Sequence, residues 1–113
     1  MSLKQERLEM ILQREISNIL QFELKNPKLG FVTVTDVQVS RDLSIAKVYV
    51  SFLGKQERND AGLRVLEHSK GYIRSNVAKK LTIRKMPELV FIQDKSLEQG
   101  NRIEGILKNI EKE

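Results

Sequence analysis

The sequence predicts an α+β sandwich in which three strands are covered on one side by helices. Apolar residues recur at three- and four-residue intervals from Leu8 to Leu24, and they alternate at two-residue intervals between Phe31 and Phe52. Helical spacing then returns from Leu63 to Leu81, ahead of an unbroken Leu89-Val90-Phe91-Ile92 run. A length of 113 residues supports one domain, residues 1–113. With 40% hydrophobic and 31% charged residues, the composition is that of a globular chain with an aliphatic core.

The first helix, about residues 2 to 25, places Leu8, Ile11, Leu12, Ile16, Ile19, Leu20 and Leu24 on one stripe. It stops at Asn26-Pro27, because proline clashes with a preceding helical turn. Gly30 lets the chain turn. In the first strand, Phe31 to Ser40, Val32 and Val34 share one parity and Val37 and Val39 the other. A bulge near Thr35-Asp36 restores all four valines to one side. After a turn at Arg41-Asp42, the second strand alternates cleanly, with Ala46, Val48, Val50 and Phe52 inward and Lys47, Tyr49 and Ser51 outward. The two strands form an antiparallel hairpin.

Gly54 to Asn59 reads as a loop, with Asp60 as N-cap of a helix containing Leu63, Val65 and Leu66. Gly71 interrupts that helix, and spacing resumes at Ile73, Val77 and Leu81, which predicts two helices meeting at a bend around Ser69-Lys70-Gly71. Pro87 opens a last strand, Leu89 to Gln93, whose apolar run predicts contact on both faces. Ser96-Leu97-Glu98-Gln99 has the form of a capping box and starts a C-terminal helix, about residues 96–111, weakened by Gly100 and Gly105 at ~1 kcal/mol each.

Catalytic chemistry finds little to work with. Cysteine is absent, which removes thiolate sites and disulfides and suits a reducing compartment. His68 is the single histidine and reads as a surface or capping residue. The carboxylate pairs Glu88 with Asp94 and Asp36 with Asp42 carry no metal-ligand pattern. The glycines match neither a phosphate-binding loop nor a dinucleotide fingerprint. No enzyme activity, cofactor, metal or small-molecule substrate is expected. The charged N-terminus lacks a signal-peptide pattern and no apolar run has the length of a membrane span, so a soluble cytoplasmic protein without a membrane partner is expected.

Binding chemistry is better represented. Lys70, Arg74, Lys79, Lys80, Arg84 and Lys85 fall within 16 residues that contain none of the chain's 15 acidic side chains. Such a single-sign block carries the +5 formal charge and is the usual footprint of nucleic-acid binding. With Ile73, Val77 and Leu81 buried, these cations form an exposed positive surface, and Arg41 and Lys47 extend it from the hairpin. Two other readings stand beside this one: acids from the first or last helix neutralise the block, or the chain is a protein-interaction module whose charge is mere solvation. Tyr49 and Tyr72 are the candidate stacking aromatics, too few to favour recognition of splayed bases over phosphate and RNA shape.

Several blocks in order, Asn26-Pro27-Lys28-Leu29-Gly30, Ser40-Arg41-Asp42-Leu43, Ala46-Lys47-Val48-Tyr49-Val50-Ser51, Gly71-Tyr72-Ile73-Arg74-Ser75, Arg84 to Phe91 and Asp94 to Ile103, resemble the ribosome-binding factor A family. The resemblance covers nearly the whole chain. It implies a KH-like domain of type II topology and a non-catalytic, monomeric assembly factor. Such a factor binds the small (30S) ribosomal subunit and 16S rRNA, assists late maturation and 5′-end processing, and supports cold adaptation. It also implies that an Ala-x-Gly interhelical bend replaces the Gly-x-x-Gly loop of ordinary KH domains. Here those positions are Ser69-Lys70-Gly71, a serine standing where the family has alanine.

Overall fold

The computed structural model describes residues 2–24, 26–53, 56–81, 83 and 85–94. Ser2 fixes the start of the first helix, α1 (Leu3–Asn18): its hydroxyl accepts the Gln5 backbone N–H at 3.1 Å, and the Gln5 side-chain oxygen accepts the Ser2 N–H at 3.0 Å. Two otherwise orphaned donors are thereby satisfied reciprocally. The last turn, Ile19–Glu23, widens to π-helical bonding, with the Leu24 N–H donating to the Ile19 carbonyl, so the α-helical part is shorter than the spacing predicts. At the following turn the Asn26 side chain accepts the Lys28 N–H, and Gly30 takes a φ of 63°.

Strands β1 (Val32–Val39) and β2 (Ile45–Phe52) pair antiparallel, and β3 (Glu88–Gln93) joins β2 in parallel, giving the order β1-β2-β3. The register shifts between Val34 and Asp36, as the valine parity predicts. Val34, Val37 and Val39 are buried and Val32 packs at their margin. The inward residues of β2 are those expected, Ala46, Val48, Val50 and Phe52. Strand β3 alternates where contact on both faces was expected: Leu89 and Phe91 are buried while Val90 and Ile92 are half-buried on the other face. The core lies between the inner face of the sheet and the two helices. Leu12, Ile16 and Ile19 meet it from the first helical segment, and Leu66, Ile73 and Val77 from α2 (Gln56–Lys80), all without exposed surface. Burying each such aliphatic side chain stabilises the fold by about 1.5–3 kcal/mol before chain entropy is counted.

The outer edge of β1 is covered in part by side chains of α1 rather than by another strand. The Ser40 N–H donates to the Ile45 carbonyl and the Leu53 N–H to the Phe31 carbonyl, so by antiparallel alternation the main-chain groups of Val39 and Val34 turn away from β2. Glu9 accepts the Val39 N–H at 2.8 Å, Gln5 donates to the Val39 carbonyl at 3.0 Å, and Gln13 donates to the Val34 carbonyl at 3.3 Å. Residues 5, 9 and 13 form one stripe of α1, four residues apart.

Two expectations for the second helical region are corrected. Gln56 to Asn59 belong to α2, so Asp60 lies inside the helix rather than capping it. The helix also runs unbroken from Gln56 to Lys80, so Ser69 and Gly71 lie within one helix and not between two. Glycine inside a helix costs only about 1 kcal/mol, less than the packing of Leu66, Ile73 and Val77 on either side of it supplies. The expected C-terminal helix at 96–111 lies outside the described residues.

The two glycines of α2 are opposite cases. A Cβ at Gly62 would overlap the Phe52 ring, whereas one at Gly71 meets nothing within 4 Å. Gly62→Ala should therefore cost about 1–3 kcal/mol by overpacking, and Gly71→Ala should stabilise by up to ~1 kcal/mol through helix propensity. Urea unfolding of the two variants beside the native protein tests both. Destabilisation by Gly71→Ala would restore a special backbone role for that residue.

Candidate nucleic-acid interface

The basic block is divided by the fold. Lys70 pairs with Glu67 one helical turn away at 2.9 Å. Arg74 reaches from α2 to the segment before β3, donating through Nε to the Pro87 carbonyl at 3.1 Å and through Nη2 to the Met86 carbonyl at 2.7 Å. Its planar fork ties two elements together, a task a lysine ammonium would perform less well. Lys80 lies between Glu15 at 3.6 Å and Glu23 at 3.3 Å, joining the end of α2 to the first helix. Acids of the first helix thus neutralise part of the block, one of the alternatives its sequence leaves open.

Lys79, in the last turn of α2, and Lys85 are exposed and make no ion pair among the described residues. Arg84 lies outside the described residues. Arg41 is exposed at the tip of the β1–β2 hairpin. Lys47 projects from the outer face of the sheet, opposite Gln38 of β1 and Val90 of β3, and shares that face with Asp36 and Glu88. It is not brought together with the helix-borne cations. His68 is exposed midway along α2.

Lys85 instead meets two cations that sequence reasoning did not select. Lys4 and Arg7 line a groove with it, together with Leu8 and Ile11 of the same α1 face and Asp42 and Leu43 of the hairpin turn. Lys4 and Arg7 were hidden by Glu6 and Glu9, which leave this stretch balanced in charge. The signal that could have found them is their three-residue spacing on the edge of the apolar stripe. Lys80 abuts Glu15, whereas Lys85 faces the Lys4–Ile11 stretch. At 1.5 Å rise per residue these lie roughly 11 Å apart along α1, about one screening length at 0.1 M salt.

The hairpin turn is organised around Asp42. One carboxylate oxygen accepts the Ser44 hydroxyl at 2.7 Å, the Ser40 hydroxyl at 2.8 Å and the Ser44 N–H at 3.1 Å. These bonds, the Ser44 hydroxyl first, hold its pKa down from 3.8 to about 2. The Ser40 hydroxyl also accepts the Ser44 and Ile45 N–H groups. Among the larger side chains left exposed are Phe22, Phe31 and Leu53, beyond the two tyrosines read from the sequence; Tyr49 is half-buried and Tyr72 is 49% exposed.

Arg74→Ala should lower stability by about 1–2 kcal/mol because two carbonyls lose a charged donor. Lys79→Ala should change it by under about 0.5 kcal/mol, a contrast that urea denaturation resolves. The depressed Asp42 pKa sets a direction for pH. The contribution of this carboxylate is complete above about pH 4 and is lost as pH falls through about 2. The stability gap between the native protein and Asp42→Ala should accordingly narrow on acidification over that interval.

The model of the family described as "Ribosome-binding factor A" matches residues 4–107. A protein of that name from Macrococcus caseolyticus (strain JCSC5402) is 44% identical over 113 residues, covering 100% of this chain and 99% of its own. A solution NMR structure from Thermotoga maritima, described as a putative ribosome binding factor A, superposes with a TM-score of 0.74 at 37% identity, over 82% of this chain and 89% of that one. Coordinates of ribosome binding factor A from Thermus thermophilus, a homology model fitted into a cryo-electron-microscopy map of a 30S complex, match with a TM-score of 0.67 at 29% identity, covering 79% and 93% of the two chains. The fold is the KH-like fold of these structures, and the chain belongs to the ribosome-binding factor A family.

Proposed function

We propose that this protein binds the small ribosomal subunit through 16S rRNA and assists its late maturation, including 5′-end processing, as a non-catalytic, cytoplasmic, monomeric factor that supports growth in the cold. The observation that carries this reading is the family match over residues 4–107, with a relative whose coordinates were fitted into a 30S complex. The protein docks on immature RNA, holds a local conformation, and leaves when the mature arrangement competes.

Exposure supports some of the cations as phosphate contacts more than others. Lys79, Lys85 and Arg41 are exposed, and Lys47 offers a separate contact from the outer sheet face. Arg84 is assigned here from sequence alone. Lys70, Arg74 and Lys80 already hold internal partners, and serve phosphate secondarily while fixing α2 in place. A protein-contact role is favoured by one observation: Phe31 is 79% and Leu53 71% exposed at the open end of the hairpin.

Co-sedimentation with immature and mature small subunits at low and raised salt tests the reading. Enrichment on the immature particle, falling steeply with salt, is expected. Lys79→Glu with Lys85→Glu should weaken it by roughly tenfold or more and flatten the salt dependence by about one unit of slope per lost phosphate contact. Binding indifferent to salt and to charge reversal would favour the protein-contact role instead.

A further inference from the structure

The groove shared by α1, the hairpin turn and the approach to β3 has a volume of about 490 Å³, within the range of small-ligand sites. Its floor is aliphatic: Leu8 and Ile11 from α1, Leu43 from the turn and Ile83 from the segment after α2. Its rim is cationic. Lys4 and Arg7 stand on the α1 wall and Lys85 on the other, against the single carboxylate of Asp42. We propose that this groove takes one unpaired nucleotide of RNA, its base against the aliphatic floor and its flanking phosphates on Lys4 and Arg7 at one side and Lys85 at the other.

A second, independent feature points to the same place. Leu43 has a φ of 62°, a left-handed conformation that a bulky side chain rarely adopts. Its N–H donates to the Ser40 carbonyl at 2.9 Å, and the Ser40–Asp42–Ser44 bonds fix the residues on either side, so the turn is over-determined by its neighbours. The result is a leucine on the floor of the groove at the end of a hairpin, where ordinary turn chemistry would use glycine or asparagine. Backbone strain maintained in this way gathers at binding sites. The inference rests on the small-subunit reading for its choice of ligand: in that particle the anionic component that matches a cationic rim is the RNA. An acidic peptide with an apolar anchor would suit the same chemistry and is an outcome of the test.

The test is fluorescence anisotropy with a short single-stranded adenylate oligoribonucleotide and the same strand carrying abasic ribose at its internal positions. Native protein should bind the intact strand about fivefold more tightly, from burial of one base face on the aliphatic floor. Ile83→Ser, at a partly exposed site outside the helices, should abolish that preference while keeping affinity for the abasic strand. Lys85→Glu should weaken both strands alike. Equal binding of the two strands by native protein, which needs no variant and no assumption about folding, overturns the proposal. So does displacement of the strand by a glutamate- and leucine-rich peptide at lower concentration than by unlabelled strand. Co-sedimentation is scored separately. A protein that pellets with subunits but shows no base preference loses the nucleotide pocket and keeps the small-subunit role; one that shows base preference and does not pellet keeps the pocket and loses the role.

Discussion

A strand pairs its side chains by parity, so the one extra residue at the Thr35 bulge decides what the rest of the molecule can do. Without the shift between Val34 and Asp36, either the Val37–Val39 pair would face away from the helices with Asp36 and Gln38 driven inward, or the Val32–Val34 pair would face away with Thr33 and Thr35 in its place. With it, three valines are buried and a fourth packs at their margin, forming the surface against which Leu12, Ile16 and Ile19 seat. The bulged residue is itself anchored: the Thr35 hydroxyl bonds the Asp94 carboxylate and the Tyr49 carbonyl, which ties β1 to β2 and to the residue that follows β3 at the point of irregularity. The same phase shift sets which backbone groups of β1 turn outward, and therefore where Gln5, Glu9 and Gln13 of α1 find partners.

The electrostatic layout follows from this placement of α1. Because the helix lies along β1, its later acids, Glu15 and the π-helical Glu23, stand beside the end of α2 and engage Lys80, while its earlier cations face Lys85. A block that is uniform in sequence is thus sorted into charges that hold elements together and charges left for solvent or a polyanion. Arg74 belongs to the first group through its two carbonyl contacts, yet it retains its full charge and further donors, so a structural role and a contribution to the surrounding field coexist in one side chain.

Much of the architecture was legible because it depends on local periodicity. The valine parity at 32, 34, 37 and 39 required a bulge, the clean alternation from Ala46 to Phe52 required a half-buried strand, and both are present. The division of α2 at Gly71 was misread because glycine signals a break only where its freedom is used, and nothing local distinguishes an exposed helical glycine from a hinge. Gly62, unremarkable in sequence, is the one that packs against Phe52. The cationic groove was illegible for another reason: Lys4 and Lys85 are 81 positions apart and meet only through tertiary packing. Likewise nothing near Lys80 announces Glu23, 57 residues earlier.

The stripe of Gln5, Glu9 and Gln13 carries a consequence for how this protein meets others. An uncovered strand margin invites any extended segment to continue the sheet, which is a hazard in the company of many unfolded or partly assembled chains. By occupying the Val34 carbonyl and both outward groups of Val39, α1 restricts main-chain pairing along the part of β1 nearest the hairpin turn. A partner approaching β1 at Val39 must be recognised by its side chains or its charge, and the helix that builds the core also determines the terms on which neighbours are admitted there.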